Sequence, residues 1–332
     1  MKLATFCTPN GGVHVGAVHS QDLKILDLTR AARQAGTQAE AFSDMLRLME
    51  AGPEALDVAR ELLQSAAGES SLNYELSEIP LQSPVPVPAS IRDFVAFSGH
   101  ILATPLALRR LAARMEGKSA EPAEVGNEIP PVFLRHPNYY KGNRFTVVGT
   151  DATVHRPATC EYLDYELEFG IFIGMKGQNI RNGDARRHIF GYTIFNDLSA
   201  RDTQVRESGS ITGPCKSKDF NTGNSIGPWI VTADEIADPY NLKMVSRVNG
   251  EVWCSGTSSG MLHNFEDMIE HVSRDEWIYP GEFFGSGTVG GGTGMEIDRY
   301  LKDGDVIELE VEGIGKLRNR VVGSSTSASP SR

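Results

Sequence analysis

The stretch Leu163-Asp-Tyr-Glu-Leu-Glu-Phe-Gly-Ile-Phe-Ile-Gly174 alternates acidic with apolar residues and then becomes wholly apolar. This pattern predicts a β-strand that begins at a polar site and ends in the core, with Asp164, Glu166 and Glu168 on one face. Three stacked carboxylates repel one another unless water or a cation neutralises them. The stretch therefore indicates either a site for a hard divalent cation (Mg²⁺, Mn²⁺ or Ca²⁺) or an acidic face turned to solvent.

The composition limits the classes of protein to which the chain can belong. Its 332 residues are 40% hydrophobic and 23% charged, which is typical of a soluble globular protein. The formal net charge of -11, with no basic block to offset it, argues against a nucleic-acid partner. No apolar run approaches the roughly 18 residues of a membrane span, so we expect no membrane association. We recognise no signal peptide, and four distant cysteines without a CxxC pair favour a reducing cytoplasm.

Composition changes along the chain predict its domain organisation. Residues 1–80 contain short strands and two helical stretches, and we expect them to form a small N-terminal α/β domain. The proline-rich residues 81–90 predict a linker, because proline favours an extended path without ladder hydrogen bonds. Residues 91–322 are rich in strands and glycine turns, which predicts a mixed α+β domain and not a doubly wound α/β sheet. The polar tail, 323–332, is predicted to be disordered.

Several polar residues of the second unit are candidates for chemistry. Asp93 and His100 lie seven residues apart, which is two helical turns if that segment is helical. Arg109 and Arg110 follow in a helical run and offer cationic groups to an anionic substrate. The segment Glu116–Pro130 lacks periodicity, which predicts a mobile surface loop. Whether this loop closes as a lid over the site is left open.

A second group of candidates follows the strand that ends at Asn196-Asp197. Asp197 is well placed as a third metal ligand, or equally as the cap of the turn or helix that follows, a role also open to Ser199. Lys216 and Lys218 come shortly afterwards.

Five motifs follow one another along the second unit. In chain order they are Glu166-x-Glu168, Asn196-Asp-x-Ser-Ala-Arg-Asp-x-Gln204, Lys218-Asp-Phe220, Gly287-Thr288 and Leu301-x-x-Gly-Asp with Glu312-Gly-Ile-Gly315. Together they resemble the fumarylacetoacetate hydrolase family over about residues 90–322. The long segment that ends at Gln204 is the most specific of them. The resemblance implies a β-roll core of mixed sheets, a homodimer and a divalent metal held by carboxylates.

The resemblance also implies a set of site residues. The metal ligands it implies are Asp93, Glu166, Glu168 and Asp197, which leaves Asp164 as a flanking residue. It implies that His100 is the general base, that Glu296 orients it, and that Lys218, with Lys216 as its competitor, contacts the reacting oxygens. The substrate contacts it implies are Arg109, Tyr140, Gln204 and Thr288.

The chemistry of these residue types favours cleavage of a C–C bond in a β-diketo acid such as an acylpyruvate or a fumarylacetoacetate-like acid. A metal acts as Lewis acid and template for a 1,3-dicarbonyl, His100 activates a water, and Lys218 with Gln204 stabilises developing oxygen charge. A hydrolase of fumarylacetoacetate itself has tyrosines at the positions of Val95 and Ser208. The identity of the substrate's acyl group therefore stays undetermined. The alternatives are an isomerase, decarboxylase or hydratase of 2-oxo or 2-hydroxydienoic acids in aromatic catabolism, or a catalytically silent fold that binds an anionic metabolite.

Overall fold

The computed structural model describes residues 1–119, 124–210 and 212–323. The centre of the predicted surface loop, 120–123, and the predicted disordered tail beyond residue 323 lie outside these ranges. None of the described helices is long and apolar enough to cross a membrane.

Strands dominate the described part of the chain. The strands, numbered β1 to β18 in chain order, are Lys2–Cys7, Val13–His19, Lys24–Asp27, Asn73–Glu75, Ser90–Phe94, Tyr139–Gly142, Val147–Val148, Thr153–His155, Leu163–Asp164, Leu167–Ile173, Ile189–Asp197, Ser199–Ala200, Asn224–Thr232, Lys243–Val248, Glu251–Thr257, Glu282–Gly285, Val306–Val311 and Gly315–Val322. The α-helices, numbered α1 to α8, are Leu28–Ala35, Met45–Glu50, Pro53–Ala66, Ser98–Met115, Pro131–Arg135, Asn182–Ala185, Arg201–Glu207 and Phe265–Ser273. A short 3₁₀ turn, Met295–Ile297, carries Glu296.

The strands form one large sheet and two smaller ones. The order in the large sheet is β4-β3-β2-β1-β13-β11-β10-β16-β5-β6, with β7 beside β13. A five-stranded sheet has the order β15-β14-β17-β18-β8, and β12 pairs with β9. Parallel pairs such as β16–β5 and β18–β8 occur among antiparallel ones. The mixed, strand-rich α+β architecture expected from the sequence is therefore confirmed.

Burial explains why individual strands have their sequence patterns. Every residue of β10 and β11 is buried, which is why these central strands are apolar on both faces. In β17, buried and half-buried residues alternate, because one face packs on the core while the other turns outward. The acidic stretch that begins at Leu163 is not one continuous strand. It is interrupted at Tyr165, so that Asp164 ends β9 and Glu168 belongs to β10.

The N-terminal strands extend the same sheet that contains the central strands. Lys2 is opposite Val231 and Leu3 is opposite Ile230, so β1 pairs antiparallel with β13. Leu3 belongs to a buried apolar cluster with Ile230 and Phe172. The predicted division into residues 1–80, a linker and a catalytic domain stays a prediction, and the structure shows that these parts share a sheet and a core.

The structure decides two local points that the sequence left open. The segment between Asp93 and His100 is not helical throughout, because Asp93 lies in β5 and α4 begins only at Ser98. Ser199 does not cap the helix after Asp197, since it lies in β12 and its hydroxyl donates to the Asp197 carbonyl. Helix α7 begins at Arg201 without a side-chain cap.

Candidate active site

Three carboxylates project from adjacent parts of the large sheet. Asp93 lies on β5, Glu168 on β10, and Asp197 is the last residue of β11, which pairs directly with β10. Strand β16 runs between β5 and β10, and its Gly285 is opposite both Asp93 and Gly170. Because residues in one row across a sheet share a face, and residues two apart along a strand do too, Asp93 and Glu168 project to the same side.

Gly285 provides the space into which Asp93 extends. A Cβ atom at Gly285 would lie 2.3 Å from Oδ1 of Asp93 and 3.1 Å from the ring of Phe195. The first distance is shorter than real Cβ contacts and the second is tight, so the missing Cβ is what allows the carboxylate to lie against the sheet.

The three carboxylates form a compact and incompletely satisfied group. One oxygen from each of Asp93, Glu168 and Asp197 lies within 4.8 Å of the others, and all three residues are buried. Among the described residues, Oδ1 of Asp93, Oε2 of Glu168 and Oδ1 of Asp197 have no hydrogen-bond donor. Buried oxygens without a partner are costly, and a divalent cation that prefers oxygen ligands would satisfy one oxygen on each residue. The residues therefore fit the predicted metal.

Burial and repulsion between neighbouring carboxylates raise the pKa values of all three groups. Burial, reinforced by Asp197, raises the pKa of Asp93 well above its usual range, and burial with the Asp93 charge does the same to Glu168. Burial raises the pKa of Asp197 to about 6, although Lys218 opposes the rise. The nearby side-chain cations therefore do not offset the free-energy cost of ionising all three buried carboxylates.

Glu166, the fourth predicted ligand, is held differently. Its Oε1 accepts from Nη2 of Arg201 at 2.8 Å, and its Oε2 accepts from Nζ of Lys218 at 2.7 Å. Burial alone would raise the pKa of Glu166, but Lys218 and Arg201 hold it well below its usual range. The structure brings Glu166 beside the triad without including it, so its role as a metal ligand stays a prediction that requires Lys218 to release Oε2.

His100 and Glu296 meet as the sequence predicted. Nδ1 of His100 lies 2.6 Å from Oε1 of Glu296, and the other oxygen of Glu296 accepts from the backbone N–H of Gly291 at 2.7 Å. Nε2 of His100 lies 3.2 Å from the hydroxyl of Thr104, one helical turn further along α4. With Nδ1–H donating to the carboxylate, Nε2 is the ring nitrogen available for proton transfer, a tautomer assigned from this hydrogen bond.

Some of the predicted substrate and catalytic residues contact the carboxylates and others do not. Tyr140 donates to Oδ2 of Asp197 at 2.6 Å, and Thr288 donates to Oε1 of Glu168 at 3.0 Å. Lys218 is buried, and its ammonium donates to Glu166 and Asp197. Lys216 is exposed and donates to the carbonyl of Asp219, so it is not part of the cluster.

Arg109 lies away from these residues. It is exposed on α4, nine residues after His100. At about 100° per helical residue, nine residues place the two side chains on opposite faces of the helix. Its neighbour Arg110 points inward and donates to the carbonyls of Met295 and Glu296 at 3.2 and 3.1 Å. A substrate role for Arg109 stays a prediction.

The profile described as the C-terminal domain of fumarylacetoacetate (FAA) hydrolase matches residues 104–322, more than half of the 332 residues. The chain belongs to the fumarylacetoacetate hydrolase family. The oxaloacetate tautomerase YisK of Bacillus subtilis is 31% identical over 305 residues, which are 90% of this chain and 93% of that protein. A mitochondrial oxaloacetate tautomerase of Homo sapiens is 39% identical over 180 residues, 53% of this chain and 56% of that protein.

A solved structure supports the same family assignment. A fumarylacetoacetate hydrolase from the psychrophile Exiguobacterium antarcticum superposes with a TM-score of 0.71 at 26% identity, covering 98% of this chain and 100% of that chain. The β-roll core of mixed sheets expected from the resemblance is therefore confirmed, and the sheets are not closed.

One residue of this family member was missed by sequence reasoning. Arg201 is fully buried, and its guanidinium donates to Asp164, Glu166 and Gln204, each at 2.8 Å. Asp164 also accepts from the backbone N–H groups of Gly294 and Met295. Arg201 thus joins the acidic stretch to the turn that carries Glu296. Its position inside the Asn196–Gln204 motif, three residues before Gln204 on a helix, was the available signal.

A large groove among the described residues lies away from the candidate site. A groove of about 1230 Å³ runs between the N-terminal strands and the five-stranded sheet, and its lining includes Lys2, Trp229, Arg247 and Glu310. None of the candidate metal, catalytic or substrate residues lines it. Size alone therefore does not identify the site, and the converging carboxylates do.

Proposed function

We propose that this member of the fumarylacetoacetate hydrolase family is a divalent-metal-dependent tautomerase of a small 2-oxo dicarboxylic acid of the oxaloacetate type. The observation that carries the proposal is the buried Asp93–Glu168–Asp197 triad together with the His100–Glu296 pair. The backbone of Glu166, two residues before Glu168, pairs with that of Thr293, three residues before Glu296, so the chain segments that carry the two groups are in contact. The 31% identity with an oxaloacetate tautomerase, over nine tenths of the chain, supports this reaction over others of the family.

Asp93, Glu168 and Asp197 would hold the metal, because each presents one buried oxygen that meets no donor within the described part of the chain. A divalent cation supplies Lewis-acid polarisation of a carbonyl and a template for the oxygens of a 2-oxo acid. Mg²⁺ suits a site made of carboxylates, and Mn²⁺ and Ca²⁺ accept the same oxygen ligands.

Keto–enol tautomerisation removes a proton from the carbon next to the carbonyl and adds a proton to the carbonyl oxygen, so it requires a group that can take up and return a proton. His100 can do this with Nε2, since Glu296 accepts from Nδ1 and stabilises the imidazolium formed when Nε2 takes the proton. Lys218, whose pKa is raised by Asp197 and Glu166 against the opposing effect of burial, stays cationic beside the carboxylates. Its charge favours an anionic substrate and the developing charge on oxygen.

A C–C hydrolase of a β-diketo acid is the second candidate, and the same pair favours it. A histidine oriented by a carboxylate can deprotonate a water as readily as a carbon acid. The two reactions differ in whether a water must be held next to Nε2. Decarboxylation and hydration are further outcomes that the same assay would detect.

The experiment is a product-resolved assay with oxaloacetate and a panel of acylpyruvates. Loss of the enol absorbance of oxaloacetate without release of pyruvate or CO₂, dependent on Mg²⁺ or Mn²⁺ and abolished by EDTA, would support a tautomerase. Pyruvate plus a free acid from an acylpyruvate would instead establish the hydrolase. Glu168→Gln should lose both metal binding and turnover, and normal metal content in that variant by elemental analysis would contradict the metal site.

The assembly and compartment are proposed on the sequence alone. We propose a homodimer, which sedimentation equilibrium of the full chain would test. A cytoplasmic location is likewise proposed from the cysteine pattern, and the mitochondrial location named for the human relative gives a competing compartment.

A further inference from the structure

Lys218 reaches the acidic cluster from a loop with few hydrogen bonds to the sheet. The loop Cys215–Lys218 lies after α7, and its residues Cys215 and Lys216 are exposed whereas Ser217 and Lys218 are buried. The backbone N–H of Lys218 donates to the carbonyl of Cys215 at 3.1 Å, and the carbonyl of Ser217 accepts from Ala200 at 2.9 Å. Other contacts are needed to keep the Lys218 side chain between Glu166 and Asp197.

Glu207, the last residue of α7, supplies those contacts. Its carboxylate accepts from three consecutive backbone N–H groups, those of Cys215 at 3.1 Å, Lys216 at 2.7 Å and Ser217 at 3.3 Å. It also accepts from the Ser217 hydroxyl at 2.8 Å. Successive N–H groups that point at one anion form a concave anion-binding backbone, and here the anion is a side chain of the same protein.

The two ends of α7 therefore act on the same carboxylate. Arg201, the first residue of the helix, donates to Oε1 of Glu166, and the loop held by Glu207, the last residue, carries the Lys218 that donates to Oε2. With a rise of about 1.5 Å per residue, α7 is a short rigid spacer between the two cations.

We propose that Glu207 is a positioning residue that fixes the Cys215–Ser217 backbone so that the Lys218 ammonium stays between Glu166 and Asp197. Its effect on turnover rests on the proposed function, but its effect on Lys218 does not. A carboxylate is required, because an amide at this position would present its NH₂ group to some of the same N–H donors.

The test measures the accessibility of Lys218 directly. Full-length wild type, Glu207→Ala and Glu207→Gln are pulse-labelled with acetic anhydride, and acetylation of Lys216 and Lys218 is resolved by fragmentation mass spectrometry. We expect Lys218 to be protected in wild type and labelled about tenfold faster in both variants, a change of the size expected when charged hydrogen bonds are lost. Exposed Lys216 should label quickly in every protein and serves as the internal control. Arg206→Ala, an exposed neighbour on the same helix, should behave as wild type.

A double-mutant cycle separates positioning from a general loss of structure. Glu207→Ala should lower kcat about tenfold in the wild-type background and have little further effect in Lys218→Met, because coupled residues are not additive. Full additivity of the two changes, or unchanged Lys218 labelling in Glu207→Ala, would overturn the proposal. If no tautomerase or hydrolase activity exists, the labelling experiment still decides the role of Glu207.

Discussion

At the scale of single residues, the His100–Glu296 contact connects the site to the proposed chemistry. The two residues are 196 positions apart in sequence, and a distance of 2.6 Å joins Nδ1 to Oε1. Glu296 is itself fixed by the N–H of Gly291, so the imidazole is held in one orientation before substrate binds. A base oriented in this way does not have to pay the entropy of finding its geometry at each turnover.

Replacing His100 by alanine should therefore reduce turnover without disturbing the metal. We expect kcat to fall by roughly 10²–10⁴, the usual contribution of a general base. Affinity for Mn²⁺, measured by isothermal titration calorimetry, should stay close to wild type, because His100 is not among the triad. The exposed His155→Ala variant is the matched control. Retention of most of the activity in His100→Ala would show that another group is the base.

At the scale of secondary-structure elements, the triad depends on how β5, β16, β10 and β11 lie side by side. Gly285 on β16 is a position where this packing leaves no room for a side chain beside Asp93. A methyl group there would have to displace Asp93, since the Cβ would lie 2.3 Å from its Oδ1.

Gly285→Ala should consequently weaken metal binding and destabilise the protein by about 1–3 kcal/mol, as overpacking usually does. The increase in melting temperature on adding Mg²⁺ should shrink markedly relative to wild type. Gly68→Ala is the matched control, because a Cβ at that glycine meets nothing within 4 Å. An undiminished Mg²⁺ shift in Gly285→Ala would mean that Asp93 does not bind the ion.

The carboxylates on these strands also predict an unusual pH dependence. Because burial raises the pKa of Asp197 to about 6, the metal-free folded state binds more protons than the unfolded state. This contribution to stability is present below pH about 4, the usual pKa of Asp, and is lost as the pH rises through about 6. Metal binding should show the opposite trend, strengthening over the same interval, because protons and cations compete for the oxygens.

Urea unfolding of the full chain in EDTA and in Mg²⁺, at pH 5 and pH 7.5, would measure both trends. Asp197→Asn cannot ionise and also removes the charge with which Asp197 raises the pKa of Asp93, so we expect a smaller pH slope in this variant than in wild type. An identical pH slope for Asp197→Asn and wild type in EDTA would show that Asp197 does not titrate as expected.

At the scale of the whole molecule, the N-terminal residues and the catalytic residues share structure. Strand β1 pairs with β13, and Leu3 packs in the same buried cluster as Ile226 and Ile230 of that strand. Strand β13 in turn pairs with β11, which ends at Asp197. The first strand of the chain is thus two strands away from the candidate metal site.

Deleting residues 1–80 should for this reason prevent the remainder from folding to a soluble, metal-binding state. The deletion would leave β13 with an unpaired edge and expose apolar side chains. Leu3→Asp, which buries a charge, should act in the same direction, whereas Leu23→Asp should be tolerated because Leu23 is 63% exposed. Soluble expression and Mg²⁺-dependent thermal stabilisation are the measurements. A truncated chain that bound Mg²⁺ normally would establish the N-terminal unit as an independent domain.

The sequence by itself indicated the family through its motifs and the strand-rich class through its apolar periodicity, and it supplied most of the polar residues proposed for the site. It could do so because apolar periodicity and the spacing within the Asn196–Gln204 motif are local properties of the chain. It also pointed to Glu166, Glu168 and Asp197 as ligands of one metal. The acidic strand and the strand that ends in an aspartate can each be recognised from local sequence, and a shared metal would bring them together.

Only the tertiary structure decided which of these groups converge and what charge each one meets. Lys218 and not Lys216 contacts the carboxylates, and Arg109 lies on the outer face of α4. Glu166 is paired with Arg201 and Lys218. Within the described ranges, one oxygen each on Asp93, Glu168 and Asp197 meets no donor. The physical reason is that hydrogen-bond partners and desolvation depend on residues far apart in the chain. Sheet order and loop placement bring those residues together, and neither is encoded in the spacing of one segment.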